Sequence, residues 1–113
     1  MTALPKGERF VNSLRTHGDT IRLAPEHATH VWTVRVQAEP VWDAVRVAVI
    51  PATRVGEVKR AAMAALMPDA DDLDGYVVKL RGFLVDESSS LDGVGALDGS
   101  TFIIVTRRKR PVR

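Results

Sequence analysis

The stretch Val31-Trp32-Thr33-Val34-Arg35-Val36-Gln37-Ala38-Glu39-Pro40-Val41-Trp42-Asp43-Ala44-Val45-Arg46-Val47-Ala48-Val49-Ile50-Pro51-Ala52-Thr53-Arg54-Val55-Gly56-Glu57-Val58-Lys59 decides the fold, because its hydrophobic period changes within it. Trp32, Val34 and Val36 alternate with Thr33, Arg35 and Gln37, the pattern of a strand with one face in water. A second alternating run puts Val45, Val47 and Val49 on one side and Ala44, Arg46 and Ala48 on the other. Two strands joined by so short a link predict a hairpin. The link lacks the Asn-Gly or Asp-Gly of a two-residue turn, so a longer loop over residues 39–42 is expected. Trp42, inside it, reads equally as an exposed anchor or as a cover for the core edge. Pro51 cannot continue a ladder, and Thr53 is the expected helix N-cap. Val55, Val58, Ala62 and then Ala65 or Leu66 form one stripe of a helix, which Pro68 stops.

Downstream, the sequence predicts an acidic loop over residues 69–75, a strand over 76–81, a turn at Gly82 and a brief strand at Leu84-Val85. A polar run (86–90) and an irregular crossing (91–99) with glycines at 93, 95 and 99 lead to a last strand over 101–107. Phe102 and Ile104 take one face of that strand, Ile103 and Val105 the other. The order β-β-α-β-(β)-β is that of an α+β domain, with one helix covering one face of a mixed sheet of four to five strands.

The whole chain has 113 residues, enough for one small domain and too few for a large enzyme. It has no cysteine, so disulfides, thiol nucleophiles and thiolate metal sites are excluded. The longest apolar run, residues 61–67, is far short of a bilayer span, and Lys6, Glu8 and Arg9 interrupt any signal-peptide core. A cytoplasmic location is expected. The net charge of +2 hides an asymmetry. Residues 1–27 carry four bases and three acids, residues 28–106 seven bases and eleven acids, and residues 107–113 five bases and no acid. The expected organisation is an N-terminal extension over residues 1–29, partly disordered with a short helix near 8–17, a domain over 30–107 and a basic tail over 108–113.

Candidate chemistry is sparse. His17, His27 and His30 stand without cysteine, too few for the three or four donors of a zinc site. Asp69, Asp71, Asp72 and Asp74 resemble a calcium loop only superficially. Counting from Asp69, Leu73 falls at position five, Gly75 at seven and Leu80 at twelve, where a ligand, a glycine at six and a glutamate are needed. Asp92-Gly93 and Asp98-Gly99 are turn dipeptides. Ser88, Ser89 and Ser90 have no base at hand. No catalytic residue, metal or cofactor is expected.

Several consecutive features resemble ubiquitin and its relatives, the β-grasp family. The hairpin ends in Val49-Ile50-Pro51, and the helix opens Thr53-Arg54-Val55-Gly56-Glu57-Val58-Lys59. The similarity then continues through Val78-Lys79-Leu80-Arg81-Gly82, Val85, Leu91, Val94, Ala96 and Ser100-Thr101-Phe102-Ile103-Ile104-Val105. The resemblance covers residues 30–107 and implies a ubiquitin-like fold. Members that are conjugated, or that carry sulfur, end in Gly-Gly. Here the matching positions are Arg110-Pro111, and no glycine follows Gly99, so ordinary conjugation is not expected. The family's apolar recognition patch maps onto Lys79, Ile103 and Val105, with a lysine at its centre, so receptors that need isoleucine there are expected to bind poorly.

In the family's strand order Ile103 and Val105 lie centrally on the open sheet face, flanked by Arg35 on one side and Lys79 and Arg81 on the other. Alternation sends Thr33, Arg35, Gln37, Arg46, Val77, Lys79, Arg81, Ile103, Val105 and Arg107 outward. That set holds five basic residues, three apolar ones and no acid. Arg35, Arg46, Lys79, Arg81, Ile103, Val105 and Arg107 are therefore the expected protein-binding residues, and the expected partner is an acidic protein. The alternative is a ubiquitin-like modifier or sulfur carrier with an atypical C-terminus. The tail from Arg107 onward admits nonspecific contact with nucleic acid or an anionic surface.

Overall fold

The computed structural model describes residues 20–107. The expected helix near 8–17, His17 and the tail beyond Arg107 lie outside them. The hairpin forms where the alternation changes, from β2 (Trp32–Ala38) to β3 (Asp43–Val49), with Val34 opposite Val47 and Val36 opposite Val45. Its connection is a single 3-10 turn over Glu39–Val41, closed by the Trp42 N–H donating to Glu39 O at 3.2 Å. The longer loop expected there is present.

Helix α1 spans Val55–Leu66 and buries Val55, Val58, Ala62, Met63 and Leu66 against the sheet. Its N-terminus corrects the sequence reading. Arg54 occupies the N-cap position and no side chain caps the helix. Thr53 is buried one residue earlier, where its hydroxyl accepts from the Ile50 N–H at 3.1 Å. The first orphan donors are satisfied from a distant loop: Val55 N–H donates to Ser89 O at 2.9 Å, and Gly56 N–H to Glu87 O at 2.8 Å. At the other end the Met67 N–H donates to Met63 O, and Pro68 prevents a further turn.

The remaining strands are β4 (Tyr76–Leu80), β5 (Phe83–Leu84) and β6 (Thr101–Thr106). Strand β6 runs parallel to β2 and antiparallel to β4, placing it in the middle of the sheet. A short strand β1 (Ile21–Arg22) pairs in parallel with β3 at the far edge. The sheet order is β1-β3-β2-β6-β4-β5, six strands where the sequence led to four or five. The extra strand comes from the expected N-terminal extension, whose Ile21 and Leu23 pack against the core.

The core lies between α1 and one face of the sheet, with Val34, Val36, Val45, Val47, Phe102 and Ile104 at 0–1% exposure. Leu91 and Ala96 carry the irregular crossing into the same core. Among the described residues one helix covers one face of the sheet, and no helix covers the other.

Candidate protein-binding face

Alternation on four paired strands builds this face, and the register fixes which side chains are neighbours. Ile103 on β6 is the partner of Gln37 on β2 and of Lys79 on β4. Val105 is the partner of Val77, beyond the end of β2. Arg35 is the partner of Arg46 on one side and Thr101 on the other. Ile103, Val105, Val77 and Lys79 are half-buried, while Arg35, Arg46 and Thr101 are exposed. Leu84 on β5 is opposite Lys79 and 64% exposed, so the apolar strip continues past the lysine to the sheet edge.

The seven expected residues are thus not one cluster. Arg35, Arg46, Lys79, Ile103 and Val105 share the face. Arg81 lies past the end of β4 in the left-handed region, at φ 53°, and its Nη2 donates to Gly95 O at 3.1 Å. Arg107 follows β6, and its Nε donates to Asp74 O at 2.8 Å. Both guanidiniums are turned to loop carbonyls at the margins. Arg35 flanks Thr101 and not Ile103, because β2 and β6 pair two residues out of the simple picture.

Trp42 belongs to this face, which sequence reasoning left open. It is 81% exposed at φ 53°, ψ 42°. Beside it a cleft of about 190 Å³ is lined by Ala38, Ala44, Ile103 and Arg35, with Glu39 and Asp43 at the hairpin end. Ala44 is buried although alternation places it outward. Trp42 is exposed at a positive φ, which no residue type at this position announces.

Among the described residues the other titratable groups make no comparable constellation. His27 and His30 are exposed, and among the described residues no three histidine or acidic side chains gather as a metal ion would need. Asp86 has its carboxyl held below the usual carboxylate range, first by the Ser88 backbone N–H and then by the Ser88 hydroxyl, both donating to it. No helix among the described residues is long and apolar enough to cross a membrane.

No protein-family model matches the chain, and no curated protein matches it by sequence. Solved structures do. Caldiarchaeum subterraneum ubiquitin is 20% identical, over 70% of this chain and 96% of its own, at a TM-score of 0.58. A ubiquitin-like domain of an Arabidopsis thaliana protein is 13% identical, over 78% and 89%, at 0.57. A protein designed on the basis of ubiquitin is also 13% identical, over 76% and 100%, at 0.60. At such identities the likeness is one of architecture, and the chain has the ubiquitin-like β-grasp fold.

Proposed function

We propose that the chain is a non-catalytic ubiquitin-like module that binds a protein partner noncovalently through the open face of its sheet, and that the partner presents an acidic surface. The observation that carries this reading is the face itself. An apolar strip of Ile103, Val105 and Val77 runs along paired strands, with Lys79 beside Ile103 and the Arg35 and Arg46 pair at the Thr101 end, and none of these three side chains makes a hydrogen bond or ion pair to another described residue. An apolar centre with a charged rim is the anatomy of a modest interface, in which the rim sets on-rate and specificity.

The test is affinity capture with two baits, native and Arg35→Glu/Lys79→Glu. Arg35 is exposed and Lys79 half-buried, neither side chain having a partner among the described residues, so together the substitutions change stability by about 1 kcal/mol or less and both baits unfold at nearly the same temperature. The partner held by the native bait is reduced at least about tenfold on the reversed one. Equal capture by both baits overturns the reading. A partner joined through a covalent bond, seen as a mass increase of the intact chain, overturns it in favour of a modifier.

A further inference from the structure

The open face has an uneven distribution of charge. Arg35 and Arg46 are direct cross-strand partners, an arrangement of like charges that destabilises a sheet, and neither guanidinium is paired with another described residue. One row nearer the hairpin lie Ala44, Gln37 and Ile103, and the 190 Å³ cleft opens beside them with Trp42 as its wall. The left-handed backbone of Trp42 costs about 1–2 kcal/mol for a residue with a Cβ. A side chain that is 81% exposed returns little of that to the folded chain. The same position would suit glycine, so strain and exposed aromatic surface coincide at a cleft that Arg35 lines, with Arg46 as its cross-strand partner.

We propose that the cleft and the arginine pair form a single subsite for an extended acidic segment of a partner protein, with an apolar side chain against Trp42 and a carboxylate on Arg35 and Arg46. The proposal rests on the open-face reading and says where on that face the partner's acidic and apolar groups go. Neighbouring rows on one face of a strand are two residues apart, about 6.6–6.8 Å, which is also the separation of alternate side chains in an extended segment. The pattern apolar-x-acidic therefore fits the two halves of the subsite at once. Charge complementarity selects the anion, since two adjacent guanidiniums offer planar pairs of donors to a carboxylate. Glu39 at the hairpin end disfavours a second carboxylate there, so the acid has one place to go.

The probe is a synthetic peptide with a leucine and, two residues later, a glutamate, in a serine and glycine background. It is titrated into the isotopically labelled protein and followed by NMR. The expected result is a saturable shift of the Trp42 indole N–H and of the Arg35 and Arg46 signals. Replacing the peptide's glutamate by glutamine, or using Arg46→Glu protein, weakens binding at least about tenfold. Well-dispersed spectra of Arg46→Glu and of a second variant, Trp42→Gly, establish that both are folded, and Trp42→Gly also loses the peptide. Equal affinity for the glutamate and glutamine peptides overturns the proposal, as does the absence of any shift at millimolar peptide. Shifts confined to Val77, Lys79 and Val105 overturn the subsite while leaving the open-face reading standing.

Discussion

Lys59 is the one buried charge among the described residues, 3% exposed, and its ammonium donates to Tyr76 O at 2.8 Å and to the Glu87 carboxylate at 3.0 and 3.1 Å. Its donors are filled, so the cation is tolerated. The two ways of breaking the pair are unequal. Glu87→Leu strands a buried cation and is expected to cost about 3–5 kcal/mol, whereas Lys59→Met removes the charge, leaves Tyr76 O as the poorer loss and costs about 1–3 kcal/mol. Urea unfolding of both variants checks the order. Asp86 acts at lower pH. Its folded pKa lies below the unfolded value, so its contribution is complete above the ordinary carboxylate range and is lost as pH falls through the folded value. Ser88→Ala removes one donor, and less stability is then lost on acidification, as thermal unfolding across about pH 2–5 will report. Arg35→Glu converts a like-charge pair with Arg46 into an attractive one, so stability is unchanged or rises by about 0.2–1 kcal/mol while partner binding falls.

Helix α1 and strand β1 divide what pattern reading can and cannot reach. The α1 stripe was legible because Val55, Val58, Ala62 and Leu66 recur at helical spacing, and they are buried as a stripe should be. Its N-terminal docking was not, because the acceptors on Ser89 and Glu87 are more than thirty positions away and no local residue implies them. Thr53 satisfies the rule for a cap and yet serves the preceding turn. Close approach explains Gly56: a Cβ there would stand 3.1 Å from Glu87 O. Gly56→Val is therefore expected to destabilise by more than 1 kcal/mol, roughly, despite removing a glycine from a helix. Strand β1 is two residues long, too short for alternation to register, and its partner β3 follows a connection of nine residues between β1 and β2 and then the whole hairpin. Ile21→Asp with Leu23→Asp would detach it, at about 1–3 kcal/mol, and uncover the β3 edge, so self-association measured by sedimentation should increase.

Across the described residues, charge is sorted by position. Asp69, Asp71, Asp72 and Asp74 are exposed in one loop, and Asp86, Asp92 and Asp98 in the connections, while Arg35, Arg46 and Lys79 lie on the sheet. The face was legible because alternation and strand order follow from local pattern. The cleft beside Trp42 was not, since it depends on a left-handed residue and on Ala44 being buried from the outer side. An interface whose rim is basic should weaken with salt, so affinity for the partner is expected to fall as ionic strength rises past about 0.15 M. The central claim is that the open face binds noncovalently. Its most direct test is amide shift mapping of the labelled protein against the partner it captures. The account predicts changes concentrated at Arg35, Arg46, Lys79, Ile103 and Val105, with an unchanged intact mass. Changes centred on the exposed side of α1, at Glu57, Arg60 and Ala64, would contradict it.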